Sequence, residues 1–272
     1  MVEKNVWNWE IEMNFEKTPP MLDILGATKT FGGVPVLYQL DIQVRNGTIH
    51  AVIGPNGSGK TTLINLVSGL LKPTAGDFYF QGIRLNGLRA DQRTAMGISR
   101  TFQNIRIFGE MSTLENIMMA RHCRTQSGLW DLLVSLPFRP LKEEVEIQKK
   151  AEELLNFVGL FHRRNFKASS LPLGEQRLLE MAQALATEPK LLLLDEPVTG
   201  MNPNEKDSVK GLIQQVNKMG ITVLFIEHDM RVVMDISDWV TVINFGQKIA
   251  EGEPDRIQRE PVVIEAYLGK EE

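Results

Sequence analysis

Apolar positions along the chain follow two periods. MLDILGA at 21–27 and VLYQLDIQV at 36–44 alternate apolar and polar residues, which predicts strands with one buried face. TIHAVIG at 48–54, LLLLD at 191–195 and ITVLFIE at 221–227 are almost continuously apolar. Such runs fit strands buried on both faces of a sheet. DFYFQG (77–82), VTVIN (240–244) and QKIAEG (247–252) read as shorter strands, and SRTFQ (99–103) as a strand or extended loop. Asn46-Gly47 and Lys72–Gly76 mark turns. Helices are predicted over LINLVSGL (63–70), within 84–97, over Glu175–Thr187 and Asn204–Lys218, and in a short piece ending at Leu268.

From about Ser112 to Leu160 the strand signal stops. STLENIMMARH opens with Ser112 three residues before Glu115, the spacing of a capping box. A second helix, about 141–158, is expected to place Val145, Ala151, Leu154, Leu155 and Val158 on one face. The pattern therefore predicts an α/β domain at 21–272 with an inserted helical subdomain at about 104–170. Residues 1–20 mix charges with tryptophans, end at Pro19-Pro20 and read as an N-terminal extension. No internal repeat is present, which argues against a fused tandem protein.

Composition narrows the partners. The net charge is −4, and the basic excess or stripe of a nucleic-acid binder is missing. Arg163-Arg164 reads as solvated surface. Cys123 is the single cysteine, so no internal disulfide can form. Its neighbour His122 would point in a different direction on a helix, so the pair makes no metal site. No apolar run is long enough for a membrane span, and the start lacks the pattern of a signal peptide. Work at a membrane would then require a partner.

The chemistry is concentrated in a few places. Gly54-Pro55-Asn56-Gly57-Ser58-Gly59-Lys60-Thr61 fits G-x-x-x-x-G-K-[ST] in full, between a predicted strand and a predicted helix. The glycines let backbone N–H groups wrap a polyphosphate, and the helix start adds its positive dipole end. Lys60 is expected to reach the outer phosphates, Thr61 to hold Mg²⁺, and Thr62 to sit near the inner phosphates. The leucine strand at 191–194 ends in Asp195 and Glu196. Asp195 is expected at Mg²⁺ and Glu196 as a general base for the attacking water. His228 follows another buried strand and could bond the terminal phosphate. By spacing alone a surface histidine at a strand end is the better reading, and a lone Gln103 carries almost no information.

These pieces in this order resemble the ATP-binding subunits of ABC transporters, from about residue 21 to the end. The resemblance implies a P-loop NTPase core of the ABC ATPase type, with an antiparallel β subdomain and an inserted α-helical subdomain. It implies ATP and Mg²⁺ as ligands. Gly54–Thr62 resembles the Walker A loop, Gln103 the Q-loop residue that reaches metal and water, and Leu191–Glu196 the Walker B strand with its catalytic glutamate. His228 resembles the switch histidine, and Gly200-Met201-Asn202-Pro203 the D-loop. Phe31 falls where the family stacks an aromatic ring on adenine; taken alone it reads equally as core. GISRTFQNIRIFGEMSTLENIMMARH, EPVTGMNPNE, IEHDMRVVMDISD and EAYLG are similar to the ATPases of branched-chain amino acid importers, the larger of two paired ones. Urea importers are the runner-up.

The departure is Leu171-Pro172-Leu173-Gly174-Glu175, which stands where the family carries its LSGGQ signature. In the family two cassettes pack head to tail, and the signature of one closes over the ATP of the other. Pro172 has no hydroxyl and no N–H to offer. Glu175 brings a negative charge towards phosphate, although it suits a helix start. Two readings stay open: drift with compensated contacts, or an asymmetric pair in which this chain clamps its partner's ATP weakly. The resemblance further implies a second ABC ATPase subunit of a different sequence, permease subunits contacted by the segment after Gln103 with Ile105, Ile107, Phe108 and Met111, an external solute-binding protein acting indirectly, and a peripheral position on the cytoplasmic face of the membrane. A non-transport ABC ATPase working on nucleic acid would favour tandem motifs or basic arms. A P-loop kinase or regulatory switch would leave Glu196, His228 and the signature helix without a joint explanation.

Overall fold

Alternation and continuity sort the strands into two sheets. In the computed structural model, which describes residues 19–121 and 140–268, β1 (Leu22–Phe31), β2 (Val34–Val44), β4 (Ala75–Phe80) and β5 (Ile83–Arg84) form a four-stranded antiparallel sheet in the order β2-β1-β4-β5. Leu22, Ile24, Leu40, Ile42 and Val44 point inward with Phe78 and Phe80, as alternation requires. The second sheet has six strands in the order β10-β9-β3-β8-β7-β6. Its members β3 (Ile49–Ile53), β6 (Ile98–Arg100), β7 (Leu191–Asp195), β8 (Thr222–Ile226) and β9 (Trp239–Asn244) run parallel, and β10 (Gln247–Gly252) closes one edge antiparallel.

β3, β7 and β8 are buried at every position. Both faces of this sheet are covered, and successive side chains enter different cores. Leu192, Leu194, Val223 and Phe225 pack with Leu179, Ala182 and Leu155 on one side. Leu191, Leu193, Leu224 and Ile226 pack with Leu63, Ile64 and Phe78 on the other. The second core thus joins the parallel sheet to the antiparallel one through helix α1 (Lys60–Val67).

Among the further helices are α2 (Ala90–Met96), α3 (Thr113–Arg121), α4 (Pro140–Phe157), α5 (Leu173–Ala186), α6 (Pro203–Lys218), α7 (Met230–Ile236), α8 (Pro254–Ile257) and α9 (Pro261–Leu268). The Ser112–Glu115 capping box forms: the Ser112 N–H donates to Glu115 Oε2 at 2.7 Å, and the Glu115 N–H to Ser112 Oγ at 3.2 Å. One detail of α4 departs from the sequence reading. Val145 is 63% exposed, and Ile147 takes the inward position with Ala151 and Leu155. Positions 147, 151 and 155 are four apart and stack on one face, whereas 145 lies two residues, about 200°, away from 147. His122 and Cys123, and residues 1–18 of the extension, lie outside the described residues. Among the described residues no helix is long and apolar enough to cross a membrane.

One buried group gives the fold an acid limit. His50 on β3 bonds Thr241 Oγ1 at 2.9 Å, and burial lowers its pKa to about 4. The unfolded chain takes up this proton near the ordinary value, about 6.5, while the folded chain stays neutral until about 4. Stability is therefore present at neutral pH and is lost as pH falls between those two values. The loss should reach about 2 kcal/mol by pH 5. Melting curves from pH 7 to 5 should show this slope in the native chain and a much smaller one in His50→Gln.

Candidate functional site

The parallel order brings the carboxyl ends of β3, β8 and β7 side by side. In open α/β sheets that edge is where ligands bind. The loop after β3 carries Gly54–Thr61, the end of β7 carries Asp195 and Glu196, and the end of β8 carries Glu227 and His228.

Gly54, Gly57 and Gly59 all have positive φ, at 153°, 79° and 102°. At Gly54 an added Cβ would lie 1.9 Å from the Ile243 carbonyl oxygen, so the loop is pressed directly on β9. At Gly59 it would meet Leu37 and the Val36 carbonyl. Lys60 begins α1, is 7% exposed, and donates to the carbonyls of Gly54 at 2.7 Å and Pro55 at 3.0 Å. Burial lowers its pKa, against the raising pull of Glu196 and Asp195. Lysine and carboxylates thus already share one field across the cleft. Ser58 Oγ is buried without a partner inside the loop. Thr61 and Thr62 are half-buried on the first turn of α1. Beside the loop, Phe245 and the α9 residues Val262, Glu265 and Ala266 wall a cleft floored by Pro55, Asn56, Gly57 and Ser58.

Asp195 is 1% exposed, and burial raises its pKa. Its Oδ2 faces the Arg100 guanidinium at 3.5 Å, and its Oδ1 has no hydrogen-bond partner. Glu196 sits at φ 51°, unusual for a residue with a side chain, and its N–H donates to the Ile226 carbonyl at 3.0 Å. That backbone turn aims its carboxylate at three neighbours from separate segments. Gln103 Nε2 donates to Glu196 Oε2 at 3.2 Å, Thr199 Oγ1 donates to the same oxygen at 3.2 Å, and His228 Nδ1 lies 4.0 Å from Oε1. Lys60, Asp195, Glu196, Gln103 and His228 are therefore brought to one edge.

Sequence reasoning missed several supporting residues. Glu227 is fully buried and accepts from the N–H groups of Val198, His228 and Asp229, tying the loop after β7 to the loop after β8. Its signal was legible: a carboxylate ending an apolar strand, as at Asp195. Arg100 was not legible, since its role comes from reaching Asn65 Oδ1 at 2.7 Å and Ser68 Oγ at 3.1 Å across the cleft. Arg177 and Glu180, a buried charged pair on an otherwise apolar helix face, hold the backbone around Gln103.

Phe31 ends β1 at its hairpin to β2, 46% exposed, with the Lys29 ammonium 4.9 Å from its ring centre. The core alternative for it is overturned. Pro172 caps α5, and Leu173 stands exposed at the first turn of that helix beside Gly200. Gly174 faces the Glu205 side chain, which leaves little room for a Cβ. Leu171 is buried, and its carbonyl accepts from Gln176. The negative charge of Glu175 is paired within the chain: Arg163 donates to both its oxygens, at 3.1 and 3.3 Å. Arg163 is accordingly not bare solvated surface; it spans Glu175 and the Phe166 ring. The two groups are close enough to pair because the 3₁₀ turn at Phe161–Arg163 packs beside the start of α5.

A phosphate loop, a buried carboxylate strand and a helix that begins in a signature segment define an ATP-binding cassette of the ABC type. Residues 37–199 match the ABC transporter family, and residues 247–272 match the branched-chain amino acid ATP-binding cassette transporter family. The high-affinity branched-chain amino acid transport ATP-binding protein LivG of Escherichia coli is 40% identical over 92% of this chain and 98% of its own. BraF of Pseudomonas aeruginosa, carrying the same description, matches at 40% over the same shares. The ADP conformation of an ATP-binding cassette of an ABC transporter superposes with TM-score 0.80 at 34% identity, covering 93% of this chain and all of that one. A dimeric bacterial ABC transporter cassette gives TM-score 0.74 at 26% identity, over 86% of this chain and 99% of that one. The chain belongs to the ATP-binding subunits of ABC transporters, in the family of branched-chain amino acid transport ATP-binding proteins.

Proposed function

We propose that this chain, an ABC transport ATPase, hydrolyses ATP as one of two cassettes that power uptake of branched-chain and other neutral amino acids through a membrane permease. The observation that carries the reading is the meeting of Gln103, Glu196 and His228 beside the phosphate loop. Glu196 accepts the proton of the attacking water, Gln103 orients that water, and His228 bonds the terminal phosphate. Lys60 and the N–H groups of 54–61 hold the outer phosphates, Thr62 the inner ones, and Phe31 stacks on adenine. Thr61, Asp195 and Gln103 fit a Mg²⁺ ion, because Asp195 presents a buried oxygen with nothing to bond. A single carboxylate completed by phosphate oxygens and waters is the usual environment for Mg²⁺. Bound there, the ion neutralises charge on the outer phosphates.

The cassette spans 21–272, with the stretch of about 104–170 as its helical subdomain. A groove lined by Arg100, Phe102, Arg106, Phe108 and Ala120 opens where that stretch meets the parallel sheet. Phe108 is 53% exposed. In this reading the groove takes a cytoplasmic element of the permease, with the chain peripheral on the inner membrane face. The second cassette is a different chain whose signature serves this site. The deciding experiment measures ATP hydrolysis by the chain alone, then with the second ATPase and permease. Weak activity alone and Glu196-dependent activity in the assembly support the reading; strong turnover alone removes the obligatory pair. Amino acid against urea as transported solute, in vesicles with the binding protein, separates the two substrate classes.

LPLGE gives a second prediction. A hydroxyl bonded to charged phosphate is worth about 1.5–3 kcal/mol. The double variant Pro172→Ser with Leu173→Gly should then raise turnover by the assembly roughly tenfold. An unchanged rate would mean that the present segment already clamps its partner's nucleotide fully.

A further inference from the structure

Gln103 does not hold itself in place. It follows β6 in an extended segment, and its backbone is held by two buried charged residues of α5. Arg177 is 7% exposed and Glu180 is 4% exposed. One guanidinium nitrogen of Arg177 donates to the Phe102 carbonyl at 2.7 Å, and the other to the Gln103 carbonyl at 2.5 Å. Glu180 Oε1 accepts from the N–H of Phe102 at 3.0 Å and from that of Arg106 at 3.3 Å. Arg177 and Glu180 bond each other at 3.4 Å. The Phe102 ring is further held between the guanidinium groups of Arg100 and Arg106, at 4.4 and 4.2 Å.

A buried ion pair is an expensive way to stabilise a helix, and an apolar pair of similar volume is often at least as stable. Arg177 Nε even lacks a partner. The remaining hydrogen-bonding capacity goes to the backbone of 102–106, so the pair is arranged to hold that segment. α5 begins at Leu173, inside LPLGE, and Arg177 stands about one turn further on. A helix moves as a rigid element, so a shift at its start reaches Arg177 undiminished.

We propose that Arg177 and Glu180 are positioning residues that tie the Gln103 backbone to α5, so that docking of LPLGE on the second cassette's nucleotide holds this chain's own Gln103 in its contact with Glu196. The proposal rests on the cassette reading above and assigns the side chains that join α5 to the 102–106 backbone. The coupled element is α5 with the 102–106 backbone, and both sites bias its position.

The test uses the assembled transporter. Glu180→Ala should lower kcat roughly tenfold while KM for ATP stays within about twofold, since a small misplacement of an orienting group costs rate and not binding. Amide exchange over 102–106 should speed up at Phe102 and Arg106. Glu180→Gln, whose amide oxygen still accepts both N–H groups, should restore most of the rate. In a Glu196→Gln assembly, ATP should slow exchange over 102–106, and Glu180→Ala should remove that slowing. If Glu180→Ala does not fold, Arg177→Lys carries the same test, with loss of kcat at unchanged KM. An unchanged kcat with faster exchange overturns the proposal. So does a joint fall of kcat, ATP affinity and melting temperature without rescue by Gln, which describes a merely structural pair. Full turnover in Glu196→Gln alone would instead overturn the assignment of the catalytic site, whatever the clamp variants do.

Discussion

Glu196→Gln should lower ATP turnover roughly 10²- to 10⁴-fold, the span of a lost general base, while nucleotide binding stays intact. Glutamine fills the same space, and its carbonyl oxygen can still accept from Gln103 and Thr199, which now bond Glu196 Oε2 at 3.2 Å each. What it removes is the capacity to take a proton from water. The backbone of Glu196, at φ 51°, is held by its N–H bond to the Ile226 carbonyl. Such a left-handed position at a residue with a side chain costs about 1–3 kcal/mol and persists where the surroundings impose it. Steady-state kinetics of the assembly, paired with nucleotide-binding isotherms, checks this. Turnover within a few-fold of the native rate would show that another group removes the proton.

Gly54→Ala should abolish nucleotide binding and destabilise the chain by about 3 kcal/mol, the scale of overpacking with backbone displacement. The added methyl would lie 1.9 Å from the Ile243 carbonyl oxygen and 2.8 Å from Ser58 Oγ. β9 is held in the parallel sheet by β3, so its carbonyl cannot yield, and the loop must move instead. That displaces the Gly54 carbonyl which accepts from Lys60 at 2.7 Å. Gly57→Ala is the control. Its added methyl meets open space, and the cost is only that of a left-handed alanine, about 1–2 kcal/mol. Thermal melts and ATP titrations of the two variants should separate sharply. Equal behaviour would mean that the loop tolerates displacement from β9.

Much of this was legible along the chain because the signals are local. Continuous apolar runs marked β3, β7 and β8, since a strand buried on both faces has no polar position to spare. The loop at 54–61 was legible because wrapping a phosphate requires glycine, lysine and threonine at fixed offsets. Asp195 and Glu196 were legible because they interrupt a leucine strand at its end. Gln103 was visible only through family resemblance, as spacing carries nothing about it. Val145 was misplaced on α4 because a short amphipathic pattern leaves the facing direction loose by a residue or two. Its true direction was set by what α4 packs against.

Only the tertiary structure decided which distant residues meet. Arg163 neutralises Glu175, Arg100 crosses to Asp195, and Arg177 with Glu180 holds Gln103, all across separations that no periodicity records. The physical reason is the reach of each constraint. Backbone conformation and binary pattern act over a few residues, so the sequence by itself determined the strands, the helices and the phosphate loop. Charge pairing in a buried cleft depends on which elements are packed together, and that is settled only when the sheet order β3-β8-β7-β6 brings their ends side by side.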